Sequence, residues 1–435
     1  MIIQAYALPH PPLAVPAVGQ GQENKIKDTL AALSQVSKEI AEIAPEVIIF
    51  ITPHGTVYSD YFHISPGDGA SGDFALFGQG DIKVHAQYDT ALAEEIARIM
   101  PNAGFEAEKN PALDHGVIVP LWYINQEHSN FKIVRISHSG LGDNAHYQLG
   151  YAITKAVEIT GRRAVLVASG DLSHKLAEDS HYGYAPEGTE FDKLTTTAFA
   201  SGNLDSLLDL PDSLRSKAVE CGHNSFLVLA GCFAKQQVQS QLLSYEHPFG
   251  VGYAVASFKP VINHQSLARK ALEHAVLGKP LSLDFNQLPK EMTERRAGVF
   301  VSIHKQGQLR GCIGTIAPTT DNIAKEIAQS AVNAGLHDNR FDPVTAEELA
   351  HLSYKVDVLG NAEVITDISC LDVNRYGIIV TCGHRRGLLL PNLDGVDTVD
   401  DQIAIACQKA GIPEGSTITL ERFEVVRYTN THNKQ

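Results

Sequence analysis

The feature that most constrains this chain is a repeated alternation of amphipathic helices with short, β-branched, almost wholly apolar runs. Residues 26–43, IKDTLAALSQVSKEIAEI, place apolar side chains at helical spacing, and the run EVIIFIT follows directly after a proline. The pattern returns with KIVRIS at 132–137 as a strand, YQLGYAITKAVEIT as a helix and RAVLVAS at 163–169 as a further strand. Strands this apolar are covered on both faces, so the first half is expected to be an α/β domain with a mainly β central sheet flanked by helices.

A last strand, GYAVASF, ends at Phe258, and KPVINHQ then leads into the helix SLARKALEHAVLG. The boundary therefore falls near residue 262, giving a first domain of about 1–260 and a second of about 266–430. The second part reads as α+β: strands at AGVFVSIH, SYKVDVLG, GIIVTC and ITLERFEVV, and helices at NIAKEIAQSAVNAG and DDQIAIACQKAG. A chain of 435 residues that is 44% hydrophobic can bury two such cores.

Charge and cysteine content narrow the class. A formal net charge of −15 and a pI of about 5.7 remove the overall electrostatic footprint of a nucleic-acid binder. Six cysteines without a CxxC pair suggest neither a zinc ribbon nor a disulfide scaffold, and a reducing cytoplasm fits them best. The start MIIQAYALPHPPL lacks a secretory pattern and no run approaches the roughly 18 apolar residues of a membrane span, so a soluble cytoplasmic chain without a membrane partner is expected.

The chemistry-bearing residues sit just after the strands. His10 follows IIQAYALP, His54 follows VIIFITP, His138 follows IVRIS, and Asp171 with His174 follows AVLVASG. In open α/β sheets the loops beyond the carboxyl ends converge, and sites form there. One histidine in such a loop is ordinarily a hydrogen-bonding or surface residue; four strand ends carrying ligating groups together point to a site.

The segments ALPHPPL, ITPHG, LDHGVIVPLW, SGDLSH and VECGHNSFLVLAG, in that order, resemble the class III extradiol dioxygenases and their relatives, the Memo proteins, over about residues 1–258. The resemblance implies that His10 and His54 ligate a non-haem Fe(II). Its third ligand is a carboxylate in the dioxygenases and a cysteine in Memo-type members, and this chain offers Glu220 and Cys221 side by side. A thiolate would also suit copper or zinc. The implied substrates are dioxygen and a small catecholic or phenolic compound. By the same resemblance His174 serves as acid/base and His115 as partner to oxygen or substrate, while Asp171 either orients a ring nitrogen or caps the following turn. Glu246 in SYEHPFG is a weaker ligand candidate, more simply a loop acid. A metal-holding interaction protein without turnover is the competing reading, and hydrolysis at zinc a third.

In the second half, LRGCIGT (309–315), AGLHDNRFDPVTAEEL, YKVDVL and GLLLPNL resemble the AMMECR family over about residues 266–430. That family implies no settled activity. Its pairing with a Memo-like domain is similar to bacterial systems that also contain a radical SAM protein, which is thereby an expected partner. From the residues themselves, Arg310-Gly311-Cys312 with Gly314 reads as a glycine-flanked loop where backbone approaches a ligand. Cys312 is a nucleophile if His337 or His304 lies near it, and otherwise a buried structural thiol. Arg310 and Arg340 together could hold a carboxylate or phosphate; Arg385 and Arg386 beside Cys382 read as surface charge.

Overall fold

The computed structural model describes residues 2–105, 112–234, 236–281, 288–393 and 395–429. It divides into two compact units, Met1–Val261 and Ile262–Gln435.

The first unit is built on six strands: β1 (Ile2–Leu8), β2 (Val47–Thr52), β3 (Lys132–Ser137), β4 (Ala164–Ser169), β5 (Val238–Glu246) and β6 (Tyr253–Pro260). Their order in the sheet is β3-β2-β4-β1-β6-β5. The first four in that order are mutually parallel, and β6 and β5 close one edge as an antiparallel pair. Every residue of β2 and β4 is buried. The pleat explains why both runs had to be apolar: Ile49 and Ile51 belong to one core layer, Ile48 and Phe50 to the other.

The first layer is completed by helices α3 (Asp143–Thr160) and α4 (His223–Cys232), through Leu149, Ile153, Phe226 and Leu227. The second is completed by α1 (Lys27–Ile43) and α2 (His115–Glu127), through Leu33, Ile40, Val117 and Leu121. At about 1.5–3 kcal/mol for each large aliphatic or aromatic side chain fully buried, these layers hold the sheet rigid beneath its loops. Because β1, β2, β3 and β4 run in one direction, the loops bearing His10, His54, His138 and Asp171 leave the same end of the sheet.

The second unit contains β7 (Val299–Lys305), β8 (Gln308–Gly314), β9 (Leu352–Leu359), β10 (Glu363–Ile365), β11 (Tyr376–Cys382), β12 (Arg385–Leu389) and β13 (Thr419–Tyr428). They form an antiparallel sheet of order β8-β7-β9-β13-β11-β12, with β10 also paired to β13. Helices α5 (His264–Val276), α6 (Ile323–Leu336) and α7 (Val399–Ala410) pack on it.

One expectation is overturned. The stretch around Arg310-Gly311-Cys312 is the strand β8, not a ligand-binding loop. Gln306 (φ 52) and Gly307 (φ 81) make the two-residue left-handed turn of a hairpin between β7 and β8. The backbone that Gly311 lets in is its own: a Cβ there would lie 2.0 Å from the Ala334 carbonyl of α6. No described helix is long and apolar enough to cross a membrane.

Candidate metal centre

Three side chains from three loops bring donor atoms within 4.8 Å of one another: His10, His54 and Cys221. His10 is buried, and its Nε2 stands 3.0 Å from His54 Nε2 and 3.7 Å from Cys221 Sγ. Nitrogen and sulfur donors that share one ion at bonds of about 2.0–2.3 Å stand roughly 3–3.6 Å apart. The recorded separations fit such a donor set.

The protonation states fit as well. Ser169, the last residue of β4, donates its hydroxyl to the Gly116 carbonyl at 2.5 Å. The same oxygen is 2.8 Å from His10 Nδ1 and must therefore accept from Nδ1–H, which leaves Nε2 with its lone pair toward the other donors. Burial pushes the His10 imidazole well below its ordinary pKa, and burial with the neighbouring His10, His115 and His174 pushes His54 down to about 3. Both rings are neutral, the ligating form. Burial, then the Asp171 carboxylate, raises the Cys221 thiol well above its usual range, so a cation must displace that proton to gain the thiolate.

Asp171 holds the loops together. Its Oδ1 accepts the His10 backbone amide at 2.9 Å, its own amide donates to Cys221 Sγ at 3.3 Å, and its carbonyl accepts from Gly222 at 3.0 Å. Burial raises its carboxyl to about 6. Its Oδ2 lies 4.0 Å from His10 Nε2, but the neutral ring makes this no ion pair.

Of the two adjacent anionic candidates, only Cys221 belongs to the group of converging donors. The Glu220 carboxylate turns to the start of α4, where Oε2 accepts the His223 amide at 2.7 Å; burial raises its pKa to about 7. Glu246 is engaged elsewhere, accepting from the amide and hydroxyl of Thr29 at the start of α1 at 2.7 and 2.8 Å.

His115 opens α2 and stacks on His54, ring centroids 4.0 Å apart. His174 Nε2 is buried without a hydrogen-bond partner among the described residues, and the Tyr182 ring lies 5.0 Å from its own. Burial lowers both pKa values, against the opposing pull of Asp171. His138 stays apart, its Nε2 2.7 Å from the Ser225 hydroxyl.

Two contributors escaped the sequence reading. Ser169 carried a signal, a hydroxyl closing an otherwise apolar strand. Phe77, whose ring is 5.7 Å from that of His115, carried none, since it arrives from the tip of the hairpin Gly69–Phe74 and Gln79–Gln87. A separate cavity of about 910 Å³ between Glu46, Lys132 and Arg162 lies at the amino ends of the strands, away from this chemistry.

Residues 4–256 match the model of the catalytic LigB subunit of aromatic ring-opening dioxygenase, and residues 265–432 match AMMECR1. Protein CA_C1420 of Clostridium acetobutylicum is 39% identical over 97% of this chain and 98% of its own length. A Thermotoga maritima protein is 50% identical over 35% of this chain and 87% of its own. Among solved structures, uncharacterized protein JW3007 of Escherichia coli covers 59% of the chain and 99% of its own at 14% identity and a TM-score of 0.41. Uncharacterized protein PH0010 of Pyrococcus horikoshii covers 38% and 88% at 28% identity and a TM-score of 0.35. The chain belongs to the LigB family of ring-opening dioxygenase subunits, and carries an AMMECR1 domain fused behind the LigB domain.

Proposed function

We propose that the first unit is a ring-cleaving dioxygenase of the cytoplasm, with Fe(II) on His10, His54 and Cys221 and a catecholic or phenolic small molecule as substrate. The observation that carries this reading is the convergence of three donors within 4.8 Å, beside two further neutral histidines that are not among them. When bound, the ion supplies the electron path between a chelating diol and dioxygen, because two imidazoles and one anion leave coordination positions open.

The protein's own groups handle the protons. His174 presents an unpartnered, sealed Nε2, and its lowered pKa keeps it neutral and ready to take the proton of a substrate hydroxyl. His115, held against His54, serves the second proton. Asp171 positions His10 through its amide and the thiol loop through its own backbone. Anaerobic loading with Fe(II), then oxygen uptake across a panel of catechols, tests the proposal. Uptake is expected in the parent and loss of it in His174→Gln with iron retained; no uptake with any catechol at full iron occupancy overturns it.

Cys221 favours a second reading. A soft thiolate in place of a carboxylate suits copper as readily as iron, and a unit that holds the metal without turnover, working with a radical SAM protein, would need no substrate. Metal analysis of protein isolated without oxygen, with the thiolate-to-metal absorption band, separates the two.

A further inference from the structure

The turn after α6 brings a second set of functional side chains against β8. Close contact between Gly311 and α6 puts the end of the helix beside the strand, and the chain then turns through Asp338–Phe341, closed by the Phe341 amide donating to the Asp338 carbonyl at 3.0 Å. Arg310, Asn339, Arg340, Phe341 and Asp342 line a cavity of about 430 Å³ there.

Both guanidinium groups are locked from behind. Arg310 donates Nε and Nη2 to the two oxygens of Glu348 at 3.1 and 2.9 Å, and Lys305 joins the same carboxylate at 2.9 Å. Arg340 donates Nε and Nη2 to the two oxygens of Asp338 at 2.9 and 2.7 Å. Asp338 is itself fixed by the Cys312 amide at 2.9 Å, and the Arg340 guanidinium beside it holds its carboxyl down to about 2. Arg340 Nη2 also donates to the Cys312 carbonyl at 3.1 Å, so Arg340 keeps its orientation and has Nη1 left to offer, while Arg310 spends one edge of its fork on the protein. Nη1 of Arg310 is buried without a partner among the described residues, a cost that native sites rarely leave uncompensated. A free arginine would give up side-chain entropy on binding; these two have already lost it.

We propose that this cavity is a binding site for a small anion, taken through a carboxylate or phosphate group by Arg310 and Arg340. Asp342 on the wall favours a ligand that also carries a hydroxyl or amine donor. The three cations Arg310, Arg340 and Lys305 meet the three carboxylates Glu348, Asp338 and Asp342, so recognition rests on fork geometry and not on a positive field. The chemistry is recognition without covalent attack. No attack by Cys312 is invoked: its thiol accepts the Ser302 hydroxyl at 3.2 Å, and burial raises its pKa.

The test is calorimetric titration of the full chain, with metal removed by chelation, against inorganic phosphate and separately against acetate and glycolate. Saturable binding at one site is expected, weakened at least tenfold in Arg340→Gln, whose side chain is 55% exposed and whose loss leaves the fold intact by circular dichroism. Arg385→Gln, far along the sheet, should change nothing. A phosphate preference identifies the ligand class as a phosphate ester, and a carboxylate preference, strengthened by the hydroxyl of glycolate, identifies a hydroxy or amino acid. Heats that never saturate with any of the three, or equal affinity in Arg340→Gln, overturn the proposal.

Discussion

The two units concentrate function by opposite electrostatic means. In the first, ionisable groups are buried and pushed toward their neutral forms: His54 is held down at about 3, while Asp171 and Glu220 are raised to about 6 and 7. In the second, the guanidinium groups of Arg310 and Arg340 face Glu348 and Asp338, and both carboxyls are lowered to about 2. Neutral, desolvated nitrogen and sulfur suit a cation that will displace protons. Paired, oriented guanidinium groups suit an anion.

Acid should separate the units by the largest margin. Burial lowers His10, His54, His115, His138, His146, His174 and His223 in the first unit, so the unfolded chain binds protons there that the folded chain refuses, and stability falls as pH drops below about 6.5. Asp171, Asp192 and Glu220, raised to about 6, 7 and 7, act in the opposite sense, but seven groups outnumber three. Below about pH 4 the loss should steepen, reaching several kcal/mol by pH 3. In the second unit burial lowers two histidines against the seven of the first, His264 to about 4 and His304, while Glu348 and Asp338 contribute stability present above about pH 4 and lost toward pH 2. With metal chelated, the fluorescence of Trp122, the one tryptophan of the chain and a residue of α2, should change at a higher pH than the ellipticity of the whole protein. Coincident transitions would erase the contrast.

His54→Ala removes one of three donors and should cost on the order of a thousandfold in metal affinity, as expected when a coordination bond is lost from a site whose binding drives its own deprotonation. The same change should leave phosphate binding at the second unit untouched. Competition against a chromophoric chelator measures the first and calorimetry the second; equal affinity for metal would remove His54 from the centre.

Much of this was legible beforehand, for identifiable reasons. Short β-branched runs and amphipathic helices dictated the parallel sheet, and a parallel sheet dictates that its strand-end histidines share one face. What adjacent residues do at a tight turn was not legible. Glu220 and Cys221 differ by one position, yet the unsatisfied amides at the start of α4 recruit the carboxylate and leave the thiol for the histidines. The glycines around Cys312 suggested a loop because glycine permits both turns and close packing; the Gln306-Gly307 pair was the cue for a hairpin, and α6 is what needs Gly311 bare. The tip that brings Phe77 to His115 belongs to a ribbon whose strands are half exposed and carry little apolar pattern.

Gly311→Ala turns that packing into a measurement. Its added carbon would meet the Ala334 carbonyl, so strand and helix must separate at a cost of about 1–3 kcal/mol, as overpacked interiors show. Denaturant unfolding should report the loss in the second unit, with the Trp122 signal unmoved, and phosphate affinity should fall because the turn carrying Arg340 shifts with the helix. Unchanged stability would mean that the contact is not constraining.

Ser169→Ala should produce the smallest effect and the most selective one. The hydroxyl is buried, donates to the Gly116 carbonyl and accepts from His10 Nδ1, so it fixes the tautomer of one ligand and ties it to the helix that begins at His115. Without it the ring loses its acceptor, and both tautomers become populated; removal of such partners costs about 10–100-fold in metal affinity. Alanine fills most of the space, so thermal stability should shift little. Ser169→Thr restores the hydroxyl and should recover part of the affinity, which a merely steric role would not allow. The visible spectrum of the Co(II)-loaded protein should change in Ser169→Ala, because ring orientation alters the ligand field while the donor set stays the same. An unchanged spectrum together with unchanged affinity would show that His10 holds its tautomer unaided.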